Sequence, residues 1–182
     1  MIWVDAHGDM NTPETTTSGN VHGMPLAALL GPEPAELSGI SGFSPALSPE
    51  RTALLGVRNL DQAEKRRVRD SGIHVFTMND IDRDGLATVA ERAITLAGGG
   101  GAGIHVSLDM DACDPTIAPG VGTAVKGGLS YREAHMLMEL VAESGKLGSL
   151  DVVEVNPVLD TRNSTAELGV ELVLSALGKT IL

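Results

Sequence analysis

The chain has 182 residues, of which 42% are hydrophobic and 20% are charged, as is typical of one soluble globular domain that buries its own core. Its formal net charge of −11 argues against nucleic acids and acidic membrane surfaces as partners, because these also carry negative charge. Because Cys113 is the single cysteine, no intrachain disulfide can form, which favours a reducing, cytoplasmic location. No stretch resembles a signal peptide, and none approaches the roughly 20 apolar residues that span a bilayer.

Five short apolar runs predict β-strands. Most of them are nearly continuous rather than cleanly alternating, as expected for strands that are covered on both faces of a parallel sheet. In chain order the predicted strands are Ile2–Asp5, Ala53–Arg58, His74–Met78, Ile104–Asp111 and Leu150–Asn156.

Helices are predicted between and after these strands from capping residues and terminal glycines. The first runs from near Pro25 to Leu30, the second opens at Asp61-x-x-Glu64 and closes at Gly72, the third is capped by Asp84 and ends at Gly98, the fourth opens with the capping box Ser130-x-x-Glu133 and stops at Gly145, and the last opens with Ser164-x-x-Glu167 and ends at Gly178. Alternation of strand and helix predicts an α/β fold with right-handed crossovers. The segment 31–49 is predicted to be a surface loop.

The glycine-rich run from Gly98 to Gly103 formally satisfies the dinucleotide-binding fingerprint. That fingerprint has to follow a strand and open a helix, because the phosphates bind at the helix N-terminus. Here the run follows a predicted helix and precedes a strand. We therefore predict a turn and no nucleotide site at this position.

Short acidic motifs follow the first and fourth predicted strands. The first strand leads into Asp5, His7 and Asp9, and the fourth ends with Asp109 and Asp111. Alternate residues of a strand point to one side, so each set is predicted to converge, and neighbouring parallel strands would bring both sets to one edge of the sheet. Four carboxylates and one imidazole suit Mn²⁺, and Zn²⁺, Fe²⁺ or Co²⁺ less specifically. The alternative is that these aspartates only cap helices and form turns.

These motifs resemble those of the arginase family of ureohydrolases. The resemblance rests on DAHGDMN from residue 5, TTTSGNVHGMP from residue 15, SLDMD from residue 107 and EVNP from residue 154. It implies a three-layer α-β-α fold whose five parallel strands have the order 5-4-1-2-3, with residues 1–182 forming one domain. It also implies hydrolysis of a guanidino group at a binuclear manganese centre, and assembly into homo-oligomers.

The resemblance also implies roles for the metal-site residues. Asp5 and Asp109 would bridge two Mn²⁺ ions, Asp9 would complete the shell of one ion, and His7 and Asp111 would complete the shell of the other. A hydroxide that bridges the two ions would then attack the guanidino carbon.

Further residues resemble the family's substrate-binding and proton-transferring groups. Glu154 would hold the guanidinium group, and His22 would transfer a proton to the leaving amine. The residues expected to contact the amino-acid end of L-arginine are Asn11, Thr16, Ser18, Asn20, Asp61, Glu64 and Thr123. Taken alone, Asp61 can equally be a helix cap, Glu154 a paired charge and His22 a solvated loop residue. His74, His105 and His135 have no motif around them and are predicted to be structural.

The sequence departs from the arginase pattern near its start. Family members usually carry further strands and a Gly-Gly-Asp-His segment upstream, which supplies one more histidine to the ion bound by Asp9. We therefore expect two metal sites of unequal affinity and an exposed fifth strand. Two alternatives stay open: a catalytically impaired module that binds metal or arginine, and an agmatinase-like ureohydrolase.

Overall fold

The computed structural model describes residues 1–180 and contains one parallel sheet of five strands. The strands are β1 (Ile2–Val4), β2 (Ala53–Val57), β3 (His74–Thr77), β4 (Ile104–Asp109) and β5 (Leu147–Val153). Their order across the sheet is β3-β2-β1-β4-β5, which is the predicted order read from the opposite edge. Strand β1 pairs in parallel with both β2 and β4. The carboxyl ends of β1 and β4 therefore lie side by side.

The strand bounds differ from the predicted ones mainly at the carboxyl ends. The first strand stops at Val4 and the fourth at Asp109, where a 3-10 turn over Met110–Ala112 begins. The fifth strand starts and ends three residues earlier than expected, at Leu147 and Val153. The apolar runs therefore located all five strands, but residues beyond their carboxyl ends were wrongly counted as strand, and the first three residues of the fifth strand were missed.

In the described part of the chain, residues 1–180, seven α-helices accompany the sheet. They are α1 (Pro25–Leu30), α2 (Ala35–Ser38), α3 (Gln62–Asp70), α4 (Met78–Asp84), α5 (Leu86–Ala97), α6 (Tyr131–Glu143) and α7 (Ser164–Ala176). The short helix α2 interrupts the segment 31–49 that was predicted as a loop. The glycine-rich run is a turn, as predicted, with Gly101 and Gly103 at positive φ. Within residues 1–180, no helix combines the length and the apolar character needed to cross a membrane.

The predicted caps of α3 and α6 are confirmed. Asp61 accepts hydrogen bonds from the backbone N–H groups of Ala63 and Glu64. Ser130 and Glu133 form the expected reciprocal capping box. Each such cap satisfies backbone donors that have no partner inside the helix and typically contributes about 1 kcal/mol of stability.

The predicted cap at Asp84 was wrong. Asp84 is the last residue of α4 and pairs with Arg83, and α5 begins after Gly85, which has a φ of 82°. Helix α4 itself starts at a capping box between Thr77 and Asp80. This short, mostly polar helix has no apolar period from which it could be predicted.

The predicted cap of α7 at Ser164 was also wrong. Ser164 is the first helical residue, and Asn163 precedes it in the left-handed region without a side-chain cap. The carboxylate of Asp160 instead accepts hydrogen bonds from the backbone N–H groups of Thr165 (3.0 Å) and Ala166 (3.2 Å). A cap supplied from several residues upstream replaces the local sequence signal.

Two apolar cores hold the three layers together. Side chains of β1 alternate between them, with Ile2 and Val4 in the first core and Trp3 in the second. The first core is shared with α5, α6 and α7, and the second with α1 and α3. Among the described residues, no side chain of β4 or β5 belongs to the second core. On that face of the sheet, a cavity lies beside β4 and β5.

Candidate metal centre and active site

The two acidic motifs meet where β1 and β4 end. The motif residues Asp5 to Asp9 lie in a loop after β1, and Asp111 lies in the 3-10 turn after β4. They do not alternate along strands, so that part of the prediction was wrong. Convergence comes from adjacent parallel strands delivering two loops to one edge of the sheet, which is where ligands bind in open α/β sheets.

Asp5, His7 and Asp111 form a group of possible metal ligands. One ligand atom of each lies within 4.8 Å of the others. The Nδ1 atom of His7 is 3.0 Å from Oδ2 of Asp111 and 3.4 Å from Oδ1 of Asp5. Backbone donors fix both carboxylates, because His7 N–H donates to Asp5 Oδ1 (2.7 Å) and Ala6 N–H donates to Asp111 Oδ1 (3.2 Å).

Asp9 and Asp109 carry the remaining carboxylates of the predicted centre. Both are buried, with 8% and 7% of their surface exposed, and both line the cavity beside β4 and β5. Asp109 Oδ1 accepts a hydrogen bond from the backbone N–H of Asp111 (2.8 Å). Asp9 has a φ of 51°, a left-handed conformation that costs a non-glycine residue on the order of 1 kcal/mol.

Burial and mutual repulsion shift the pKa values of these groups. Burial, with the charges of Asp5 and Asp109, raises the pKa of Asp9 well above its usual range. Burial, with the charges of Asp5 and Asp111, likewise raises the pKa of Asp109. For His7, burial lowers the pKa, but hydrogen bonds and charges from Asp111 and Asp5 outweigh it and raise the pKa to about 10. Burial also opposes ionisation of Asp111, but contact with His7 leaves its pKa below the usual value.

The stability of the metal-free protein should therefore fall as pH rises from about 6 to 8. In this range the folded state keeps protons on Asp9, Asp109 and His7. In the unfolded chain the two aspartates are already ionised and the histidine loses its proton, so the unfolded state binds fewer protons. One pKa unit corresponds to about 1.4 kcal/mol, so we expect a loss of about 2 kcal/mol or more. Denaturant unfolding in EDTA at both pH values measures it. A profile that is flat or rises with pH would contradict the shifts.

The acidic group consists of Asp5, His7, Asp9, Asp109 and Asp111, and a cavity of about 490 Å³ opens beside it. Its walls include Asp9, Asp109, His22 and Glu154, so four predicted site residues share one space. His22 lies in a 3-10 turn over Val21–Gly23, and its Nδ1 is 3.8 Å from Oε1 of Glu154. Glu154 has a φ of 64°, which turns the chain sharply just after β5. Backbone strain of this kind is often found at functional sites.

Other predicted substrate contacts lie on the loop before α1 and at the start of α3. Asn11 Nδ2 donates to Asp61 Oδ2 (2.8 Å), so Asp61 both caps α3 and holds this loop. Thr16 and Ser18 are not among the walls of the cavity; their side chains accept from the backbone N–H groups of Gly19 and Asn20.

Glu64 is placed differently from these loop residues. It is 5% exposed, and its Oε1 accepts from the backbone N–H of Met10 (3.1 Å). Burial raises the pKa of Glu64. The structure therefore brings Glu64 beneath the loop that carries Asp9 rather than into the open cavity.

Two side chains support the acidic group in ways that were not predicted. Trp3 Nε1 donates to Asp5 Oδ2 (2.9 Å), and Thr123 Oγ1 donates to Asp111 Oδ2 (3.0 Å). Trp3 lies two residues before Asp5, a spacing that could have suggested a shared face. Thr123 was predicted to bind substrate, and its contact with Asp111 depends on a loop path that no local spacing reveals.

The three histidines that were predicted to be structural all have neighbouring polar partners in the structure. His74 Nε2 is 3.2 Å from the carbonyl oxygen of Glu50. The ring of His105 lies between Ser149 and Asp151. His135 is buried, with Nδ1 2.9 Å from Ser175 Oγ. None of the three is among the grouped possible metal ligands found in residues 1–180.

The donor chemistry fits a divalent cation. Oxygen donors with a single imidazole suit Mn²⁺ among the first-row metals. Like-charged buried carboxylates are costly unless protons or a cation compensate them, and the raised pKa values of Asp9 and Asp109 express that cost. Asp5, His7 and Asp111 would hold one ion, with Asp9 and Asp109 available on the cavity side.

Comparison with known proteins agrees with this arrangement. The family model for the arginase family matches residues 1–178. The arginase of Bacillus caldovelox is 50% identical over the whole chain, which spans 61% of that relative's length. Its crystal structure superposes with a TM-score of 0.96, covering 100% of this chain and 60% of that one.

A more distant arginase adds a ligand-bound example. The crystal structure of Entamoeba histolytica arginase in complex with L-ornithine has a TM-score of 0.88 and 35% identity, covering 98% of this chain and 59% of that one. Sequence, strand order and the acidic group at the ends of β1 and β4 agree with a family match over almost the full length. The chain therefore belongs to the arginase family.

Proposed function

We propose that this chain hydrolyses L-arginine to L-ornithine and urea in a manganese-dependent reaction. The observation that carries the proposal is the Asp5–His7–Asp111 group beside a cavity that also contains Glu154 and His22. The L-ornithine bound to Entamoeba histolytica arginase supports an amino-acid product. Bound manganese would supply an activated water as the nucleophile at neutral to alkaline pH.

The side chains have complementary tasks in this proposal. Glu154 pairs with the guanidinium group and orients its carbon. The reaction consumes one water. Its oxygen bonds to the guanidino carbon, while the bond from that carbon to the nitrogen attached to the δ-carbon of the substrate breaks. The departing nitrogen accepts a proton, and we assign its delivery to His22, whose Nδ1 is 3.8 Å from Oε1 of Glu154.

The other end of the substrate distinguishes L-arginine from agmatine. Asn11, Thr16 and Ser18 are neutral groups suited to its α-carboxylate, and Asp61 is an anion suited to its ammonium group. Burial opposes ionisation of Asp61, but hydrogen bonds from Glu64 N–H and Asn11 lower its pKa. Asn20 and Thr123 complete the proposed recognition set, and Glu64 supports it from beneath the loop through its hydrogen bond with Met10 N–H. Homo-oligomer formation and a cytoplasmic location remain expectations.

The direct test compares L-arginine with agmatine, which lacks the carboxylate. We expect manganese-dependent urea release from L-arginine, and a kcat/KM on the order of 10² to 10⁴ times lower for agmatine, because the groups that bind the carboxylate would be left unpaired. Equal turnover of both substrates would favour the agmatinase-like alternative. No urea at saturating manganese and alkaline pH would overturn the proposal, and an arginine-dependent rise in Tm would then support a binding module.

Metal content should be measured on the same sample, because the two sites are proposed to be unequal. The Asp5–His7–Asp111 group combines an imidazole with two carboxylates, whereas Asp9 and Asp109 add carboxylates alone. The chain should bind two ions when it is loaded with manganese. Elemental analysis after dialysis, which lowers the free manganese concentration, should therefore find one retained ion per chain. Two ions that are released together would contradict unequal affinity.

A further inference from the structure

Arg58, the residue after β2, has its guanidinium group surrounded by backbone carbonyl oxygens. Its Nη2 donates to Asp111 O (2.8 Å) and Val125 O (2.7 Å), and its Nε donates to Lys126 O (3.3 Å). The same group also donates to the carbonyl oxygens of Gly56, Ala112 and Cys113. One side chain therefore ties the turn after β4 to a loop more than ten residues further along the chain.

Both tied segments bear on the acidic group. The first contains Asp111 itself. The second follows Thr123, whose hydroxyl donates to Asp111 Oδ2. The guanidinium thus holds the backbone of a possible metal ligand and the backbone close to that ligand's hydrogen-bond donor.

The main chain at the same position holds the other half of the group. The N–H groups of Arg58 and Asn59 donate to the carbonyl oxygen of Ala6 at 2.9 Å and 3.0 Å. Ala6 lies between Asp5 and His7, so its position sets theirs. Residue 58 consequently contacts both loops that deliver Asp5, His7 and Asp111, through its backbone on one side and its side chain on the other.

The packing around the guanidinium leaves little freedom. A Cβ atom built on Gly128 would lie 2.5 Å from Arg58 Nη2 and 2.6 Å from the carbonyl oxygen of Ala112. Glycine is therefore required where this loop closes over Arg58. A planar group with five donors can span carbonyls in several directions, whereas a lysine ammonium has three donors at one point.

We propose that Arg58 is a positioning residue that sets the spacing of Asp5, His7 and Asp111 before a divalent cation binds. Its effect on urea release rests on the proposed function, but its effect on cation binding does not. Outer groups that orient metal ligands typically change metal affinity by 10–100-fold when they are removed.

The test titrates Mn²⁺ into the metal-free protein and follows the fluorescence of Trp3, which is the single tryptophan of the chain and donates to Asp5. We expect Arg58→Met to weaken Mn²⁺ binding by 10–100-fold. Arg58→Lys should remain about tenfold weaker than the parent chain, because an ammonium cannot reach both tied segments. Arg69→Met, at an exposed arginine near the end of α3, is the matched control and should bind as the parent does.

Three results separate the possibilities. Parent-like Mn²⁺ affinity in Arg58→Met or Arg58→Lys would overturn the proposal. A variant with a lower Tm and unchanged Mn²⁺ affinity would also overturn it, because Arg58 would then only stabilise the fold. If Arg58→Met does not fold, Arg58→Lys supplies the affinity comparison. A parent chain that binds Mn²⁺ without releasing urea would end the proposed function while leaving the positioning role to be judged by the variants' affinities.

Discussion

Replacing Asp109 with asparagine is expected to reduce manganese-dependent urea release by on the order of 10³-fold or more, since removal of a ligand should exceed the 10–100-fold effect of outer groups. Asparagine has nearly the same shape, and its carbonyl oxygen can still accept from the backbone N–H of Asp111. What the variant loses is the negative charge on the cavity side of the acidic group.

The same substitution is expected to stabilise the metal-free protein at pH 8. Burial, with the charges of Asp5 and Asp111, raises the pKa of Asp109, so at pH 8 folding has to place a proton on this group that the unfolded chain does not bind, which costs folding free energy. A neutral amide avoids that cost, and the free energy of unfolding in EDTA should rise by about 1 kcal/mol or more. General damage to the fold would lower activity and stability together, so opposite changes identify a charge kept for cation binding.

Asp82→Asn provides the control for both measurements. Asp82 is exposed on α4 and undergoes the same chemical change away from the cavity. Its urea release and its free energy of unfolding should match those of the parent. Unchanged urea release in Asp109→Asn, or a fall in the stability of the metal-free variant, would contradict the role assigned to this carboxylate.

The sheet could be predicted from the sequence because its central strands β1 and β2 are buried on both faces. A continuous apolar run such as Ala53–Val57 is typical of a covered parallel sheet, and glycines and capping residues mark the segments between the strands. Helix α4 escaped prediction because it is short and polar, and the cap of α7 because its carboxylate comes from Asp160. Both depend on contacts that leave no periodic signal.

The sequence indicated that Asp5, His7 and Asp111 would lie together, as they do, but not how the chain brings them together. The motifs around Asp5 and Asp109 indicate the acidic residues. However, β1 and β4 end earlier than predicted, so the loops after them, and not strand alternation, orient these side chains. The contacts of Trp3 and Arg58 were not foreseen, and those of Arg58 join positions more than 50 residues apart. Side chains that orient a site in this way become visible only once the loops are in place.

Replacing Glu154 with glutamine should separate substrate binding from cation binding. Glu154 lines the cavity with 30% of its side chain exposed and lies 3.8 Å from His22. A carboxylate pairs with a guanidinium through charge-assisted hydrogen bonds, and an amide of the same size keeps the shape without the charge. Truncating one member of such a pair costs about 2–5 kcal/mol. We therefore expect kcat/KM for L-arginine to fall by roughly 10² to 10³-fold.

The affinity for Mn²⁺ should stay within about threefold of the parent value, because Glu154 lies outside the Asp5–His7–Asp111 group. Steady-state urea kinetics and the Trp3 fluorescence titration measure the two quantities on one preparation. Glu143→Gln, at an exposed position near the end of α6, should change neither. If Glu154→Gln kept parent kinetics, Glu154 would be only a paired charge after β5. If it lost Mn²⁺ affinity as well, the carboxylate would serve the cation rather than the guanidinium.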